Sequence, residues 1–214
     1  MGLMCGDNNM IYHINDYHYD QRWIFYDKKL VSSDLINSVT NYVLDNKNKL
    51  DDALIGVGSK YDSNVRRTKI MWLESENGGI PSEVISVYDE ILKGVRMVNA
   101  DMWNYDIFGL DTLQYSLYEE GERGHYDWHI DCPAKCSLGS FLRKLTIVIG
   151  LSDDEDYVGG DLKVKMGYDE NQDCYKLGMG DVCIFPSFLL HKVEPVESGL
   201  RKTLVGWATG SSFK

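Results

Sequence analysis

The 214-residue sequence contains no apolar run approaching the ~18 residues of a membrane span, so it predicts no transmembrane segment. It opens without a basic stretch leading into an apolar one, and no secretory signal is expected. Position 6 is Gly rather than Ser or Thr, which removes a myristoylation signal. Proline numbers only four, and there is no repeat, low-complexity tract or Pro/Gly/Ser linker. Basic residues are outnumbered, 22 against 33 acidic, for a net charge of −11. That is a poor footprint for a phosphate backbone, so nucleic acid is disfavoured as a partner. The five cysteines (Cys5, Cys132, Cys136, Cys174, Cys183) are odd in number and scattered. They exclude a disulfide framework and read as reduced thiols in a cytoplasm, the host's if the chain is viral.

What is present is ordinary globular material: 43% hydrophobic, 12% aromatic and 26% charged residues. The length fits one domain, or one with a support layer, and can bury a core without staples. Ser32, Ser33 and Asp34 are good helix N-caps, and Leu35, Ile36, Val39, Tyr42 and Val43 follow at helical spacing, predicting a helix over 33–46. Pro81-Ser82 opens a second, with Val84, Ile85, Tyr88, Ile91, Leu92, Val95 and Val98 on one face. Short strands are expected at 23–26 and 69–73. From about 112 alternation takes over, with strands near 113–118, 142–151, 161–166, 182–185, 191–193 and 200–208. Helices first and strands afterwards predict an α+β fold: a helical support region over 1–110 packed on a β-sandwich or barrel over 111–214.

Histidine is scarce, with five in the chain. His-x-Asp is worth testing first, because on a strand it puts two metal-ligand types on one face. Random placement gives about 0.5 matches, and the chain has three: His18/Asp20, His125/Asp127 and His129/Asp131. Context selects the last. His191 follows it by some 60 residues at the start of a strand, and two His with one carboxylate form the facial triad of non-haem Fe(II) oxygenases. Arg201, ten residues beyond, can grip a carboxylate bidentately. Triad and clamp together describe a 2-oxoglutarate site.

The ordered blocks around these residues carry a resemblance. They are Tyr118-Glu119-Glu120-Gly121, Gly124-His125-Tyr126-Asp127-Trp128-His129-Ile130-Asp131, Arg143-Lys144-Leu145-Thr146, Gly159-Gly160-Asp161-Leu162, Gly180-Asp181-Val182, Phe185-Pro186-Ser187 and His191 through Val196, closing on Arg201 and Trp207. Over about 111–209, and more loosely from Arg66-Arg67 to Trp103-Asn104, the chain resembles the 2-oxoglutarate/Fe(II) dioxygenases of the prolyl 4-hydroxylase class, particularly small bacterial and bacteriophage hydroxylases. The resemblance implies a double-stranded β-helix, or jelly roll, with N-terminal supporting helices. It implies His129, Asp131 and His191 as iron ligands and Arg201 on the distal carboxylate of 2-oxoglutarate. Tyr118 is expected to help hold that carboxylate, Thr146 to line its pocket and Trp207 to form an aromatic wall near the metal. Cofactors implied are Fe(II) and 2-oxoglutarate, with ascorbate as a further expectation.

The implied activity is hydroxylation of a C–H bond, with release of succinate and CO2, on a prolyl or other residue of a peptide or protein. A free amino acid or other small molecule is the first alternative. A non-catalytic cupin-like module that binds metal or 2-oxoglutarate is the second. Prolyl 4-hydroxylases proper usually carry Lys where Arg201 stands, and other branches carry Arg. Beside these roles stand plainer ones: a strand salt bridge for Arg201, core packing for Tyr118 and Trp207, and a turn at Gly159-Gly160. His125 and Asp127 would share the face of His129 on a regular strand and are read as neighbouring or surface groups; His18/Asp20 is read as structural. Cys132 and Cys136 lack the second pair a zinc site needs. Oligomeric state is open.

Overall fold

The computed structural model describes residues 23–54, 61–132, 141–166 and 172–212. Helix α1 spans Ser33–Asp45, one residue short of expectation. Ser32 Oγ accepts from the Leu35 N–H (3.2 Å) at its start, and the Asn46 side chain donates to Tyr42 O (2.9 Å) at its end. Helix α2 (Ile85–Met102) is preceded by a 3₁₀ turn, Ser82–Val84. Within α2 the buried stripe is Val87, Tyr88, Ile91, Val95 and Asn99; Ile85, at the first position and on the edge of that stripe, is exposed. Asn99 holds both the N–H and the carbonyl of Tyr105 at 2.9 Å, reversing the chain after α2. The Tyr88 hydroxyl donates to Leu73 O and accepts from Leu113 N–H, each at 2.9 Å, and so ties α2 to the sheet below.

The strands in chain order are β1 (Phe25–Asp27), β2 (Asp51–Asp52), β3 (Arg66–Arg67), β4 (Lys69–Trp72), β5 (Gly109–Leu110), β6 (Gln114–Glu119), β7 (His125–His129), β8 (Leu142–Gly150), β9 (Tyr157–Gly159), β10 (Leu162–Lys165), β11 (Gln172–Tyr175), β12 (Val182–Pro186), β13 (Leu190–Val193) and β14 (Val196–Gly210). All pair antiparallel. The larger sheet runs β1-β12-β8-β14-β6-β4-β2, with β5 and β9 pairing to β14; the smaller runs β11-β10-β13-β7-β3. This is the expected α+β jelly-roll architecture. The strand expected at 200–208 runs over 196–210, because β14 pairs in turn with β9, β6, β8 and β5. Strands β2, β3, β5, β7, β9 and β11 escape alternation: they are two to five residues long, and β7 (HYDWH) is polar and aromatic on both faces.

The period of two gives each central strand two tasks. Leu145, Ile147 and Ile149 of β8 and Leu204 and Ala208 of β14 face the helices in the main core, with Val39, Ile91 and Val95. Thr146 of β8 and Arg201, Thr203, Val205 and Trp207 of β14 point the other way, into a cavity of about 250 Å³ between the sheets. Val148, Leu162, Val164 and Phe185 close the inter-sheet layer beside it. Among the described residues no helix is long and apolar enough to cross a membrane.

Leu145 is fully buried on the helix side. Leu145→Ala should cost about 2–5 kcal/mol in urea unfolding; an unchanged midpoint would contradict this packing.

Candidate active site

His129 closes β7, Asp131 lies in the bend just past it, and His191 is in β13 directly opposite His129. One ligand atom from each lies within 4.8 Å of the others, and this is the cluster with such donors found among the described residues. His129 and Asp131 do not converge as two residues on one face of a strand, as the His-x-Asp spacing suggests. The chain turns instead: the N–H groups of Asp131 and Cys132 both donate to Ser187 O, at 2.9 and 3.0 Å. Strand β7 is also irregular. His191 pairs with His129 but Val193 pairs with Tyr126, so β7 carries one extra residue, a bulge. The bulge puts Tyr126 against His129, with ring centroids 3.5 Å apart and planes 15° from parallel. It leaves Asp127 exposed, and the His125 ring nitrogens turn to Arg123 O and Asn64 O. Neither joins the cluster.

Each His is oriented through its other nitrogen. His129 Nδ1 meets Asp127 O at 2.7 Å and His191 Nδ1 meets Leu189 O at 2.9 Å. A carbonyl only accepts, so Nδ1 carries the proton in both and Nε2 keeps its lone pair. The Nε2 atoms lie 3.7 Å (His129) and 3.4 Å (His191) from the Asp131 carboxylate. Asp131 Oδ2 accepts from Trp207 Nε1 (2.8 Å) and Thr146 Oγ1 (2.9 Å), while Oδ1 accepts no hydrogen bond from the described residues. Thr146 Oγ1 also contacts Ser187 Oγ at 3.0 Å.

Burial and the neighbouring His191 push His129 down to about 3. For Asp131 burial acts in the opposite sense, but His191, His129 and the Trp207 N–H together hold its carboxyl well below the usual carboxylate range. The trio is thus a neutral imidazole and an ionised carboxylate beside a second imidazole. That is the donor set a divalent first-row metal takes.

Arg201 lies in β14 opposite Tyr118 of β6, with its guanidinium carbon 5.0 Å from the Tyr118 ring centre. It is 1% exposed, and all three guanidinium nitrogens are buried with no hydrogen-bond partner among the described residues. A buried cation left bare is costly. The fork faces the cavity that holds the His–Asp–His cluster, so a carboxylate bound there would satisfy it. Gly159 and Gly160 both have positive φ, +72° and +66°. A Cβ on Gly160 would come 2.8 Å from Arg201 Cδ, so this glycine is what lets the backbone press on the Arg201 stem.

The cavity brings together His129, Asp131, His191, Arg201, Tyr118, Thr146 and Trp207. His18, Asp20, Cys5 and Cys136 lie outside the described residues. The sequence reading gave no role to Arg143, Ser187, Tyr126 or Arg66. Arg143 is held by Asp111 at 2.7 and 2.9 Å and lies 3.7 Å from the centre of the Trp207 ring. It therefore steadies the indole that holds Asp131. Its place in the Arg143-Lys144-Leu145-Thr146 block was the available signal: Arg143 comes three residues before Thr146 on the strand beside Trp207.

Residues 113–209 match the 2OG-Fe(II) oxygenase superfamily. A PKHD-type hydroxylase of Herminiimonas arsenicoxydans is 41% identical over 96 residues, covering 44% of this chain and 41% of that protein. A PKHD-type hydroxylase of Synechococcus sp. strain CC9311 is 33% identical over 129 residues, covering 56% of each. The chain thus spans about half the length of the curated relatives it matches. In three dimensions it resembles a prolyl-4-hydroxylase of Pseudomonas putida, with TM-score 0.68, 18% identity, and 87% of this chain and 92% of that one covered. A Trichoplax adhaerens prolyl hydroxylase, solved with a hypoxia inducible factor peptide fragment, gives TM-score 0.70 and 18% identity, covering 90% of this chain and 86% of that one. The β-helix core, residues 113–209, is thus similar in sequence to the 2OG-Fe(II) oxygenase superfamily, and the chain shares its fold with the prolyl hydroxylase structures.

Two outcomes follow from this geometry. An unfolded chain takes up an imidazole proton near pH 6.5, whereas folded His129 takes it up only near 3. The metal-free fold is therefore penalised progressively as pH falls from about 6.5 towards 3, and its stability rises with pH across that window. The His129 Cε1–H resonance should stay unshifted down to about pH 4.5; a midpoint near 6.5 would contradict the burial argument. Trp207→Phe removes one of the two hydrogen bonds to Asp131 Oδ2. It should weaken metal binding about tenfold or more in a chelator-competition titration, and an unchanged affinity would mean that the indole is mere packing.

Proposed function

We propose that the protein is an Fe(II)- and 2-oxoglutarate-dependent hydroxylase acting on a prolyl or other residue of a peptide or protein. The observation that carries this reading is Arg201: a fully buried, unpaired guanidinium in the same cavity as a His–Asp–His cluster. In this reading His129, Asp131 and His191 hold the iron, and Arg201 takes the far carboxylate of 2-oxoglutarate through a bidentate pair. Iron and 2-oxoglutarate, when bound, would supply with O₂ the hydroxylation of a C–H bond, one oxygen atom passing to the substrate and the other to succinate as 2-oxoglutarate loses CO2. The chain's own work is positional. Nδ1–H bonds to Asp127 O and Leu189 O fix both imidazoles, and Thr146 and Trp207 keep Asp131 ionised and in place. Tyr118 forms the wall beside the Arg201 fork. The inter-sheet layer of Val148, Leu162 and Phe185 limits water around the reacting centre.

The cavity, about 250 Å³, is small beside typical ligand sites and must also take 2-oxoglutarate, so only a residue-sized part of the substrate enters beside it, from a peptide or, as a second reading, from a free amino acid or similar small molecule. Ascorbate as an auxiliary reductant rests on the family resemblance alone. Among the described residues Cys132, Cys174 and Cys183 form no disulfide, which supports a reducing compartment, the cytoplasm, in this reading.

The test is anaerobic loading with Fe(II), then O₂ and 2-oxoglutarate, with succinate assayed alone and with Pro-containing peptides. Succinate release should depend on iron and be lost in His129→Ala. Arg201→Ala should raise the 2-oxoglutarate KM about 100-fold, the scale of losing a buried charged pair. Binding of 2-oxoglutarate without succinate under any condition would overturn the hydroxylase reading in favour of a binding module.

A further inference from the structure

A second guanidinium lines the same cavity. Arg66 in β3 is 7% exposed, and its Nε is buried with no hydrogen-bond partner. Among the described residues no ion pair involves it. Its place is fixed from both sides: β3 pairs with β7 at Arg66↔Tyr126, and the guanidinium carbon lies 4.5 Å from the Tyr126 ring centre. Tyr126 in turn stacks on His129. Its neighbour Arg67 is unlike it, being used structurally: Arg67 Nη1 donates to Glu122 O.

The cavity's charge explains why this residue matters. Its walls carry Asp131 against Arg201 and Arg66, while Arg143 is already neutralised by Asp111. A ferrous ion and the 2-oxoglutarate dianion cancel one another. Arg201, with three bare nitrogens, is the better match for the co-substrate's far carboxylate, which leaves Arg66, set over the Tyr126 ring with a buried, unbonded Nε, as the cation without an ion-pair partner among the described residues. Cations in such surroundings are paired.

We propose that Arg66 forms a second anion subsite in this cavity and takes a carboxylate on the substrate, close to the C–H bond that is oxidised. The inference rests on the hydroxylase reading and narrows it: the substrate is a carboxylate-bearing residue or amino acid rather than a neutral one. The carboxylate has two sources, the main-chain carboxylate of an amino acid or an acidic side chain next to the target residue in a peptide.

The experiment uses the full chain loaded with Zn(II), a redox-inert stand-in, and 2-oxoglutarate. Matched probes are titrated by calorimetry: N-acetylproline against N-acetylprolinamide, capped Gly-Pro-Asp against capped Gly-Pro-Asn, and acetate against acetamide. In parallel the Arg66 Nε–H resonance is followed, assigned by its absence in Arg66→Lys. At least one carboxylate should bind about tenfold or more tightly than its neutral partner and shift that resonance. Arg66→Gln should erase the difference while Zn(II) and 2-oxoglutarate affinities stay within about twofold. Preference for N-acetylproline identifies an amino-acid carboxylate, and preference for Gly-Pro-Asp an acidic peptide side chain. If no carboxylate, acetate included, shifts the resonance, the subsite is refuted. An equal loss for charged and neutral probes, or a fall in Zn(II) affinity, would also overturn it, making Arg66 a prop for His129 acting through Tyr126. Failure of the wild type to bind Zn(II) or 2-oxoglutarate would instead refute the hydroxylase reading, and the subsite with it.

Discussion

A carboxylate taken out of water must be matched by cations and hydrogen-bond donors, and Asp131 lies between the two sheets under that constraint. Its partners come from separate parts of the chain: His129 two residues before it, Thr146 on β8, His191 on β13 and Trp207 on β14. The backbone N–H of Asp131 is held by Ser187 at the end of β12. Satisfying this one group therefore fixes the spacing between the smaller sheet and the larger one. Arg143, gripped by Asp111 and set against the Trp207 ring, extends that support to the far side of the indole.

The larger sheet makes the arrangement stable. Its outer face is apolar and covered by α1 and α2, so the sheet can present costly groups on its inner face. Arg201, Thr203 and Trp207 occupy alternate positions on one strand, and Leu204 and Ala208 hold that strand from behind. Gly160 completes the design by allowing the backbone to close on the Arg201 stem.

Much of this was legible in the sequence because it follows from alternation and helical spacing. The even separation of Arg201 and Trp207 puts them on one face wherever the strand is regular, and Val39, Ile91 and Val95 follow a helical stripe. What escaped did so for local reasons. The 3₁₀ turn at Ser82–Val84 delays the start of α2 to Ile85, a backbone choice that apolar spacing does not record. The bulge in β7 decides that Tyr126, not His125 or Asp127, accompanies His129; it exists only in the pairing with β13. Arg66 and Arg143 fall in blocks that carry the resemblance but take no role there, because sequence does not show that a two-residue strand or a single ion pair carries them inward.

The site is therefore an electrostatic arrangement before it is a chemical one: one buried carboxylate, two oriented imidazoles and a bare guanidinium facing a common space. The most direct test is an anaerobic crystal structure of the protein with Fe(II) and 2-oxoglutarate. The account predicts iron on His129 Nε2, Asp131 and His191 Nε2, with the far carboxylate of 2-oxoglutarate paired to the Arg201 fork. Iron bound elsewhere, or 2-oxoglutarate lying with Arg201 still unpaired, would contradict it.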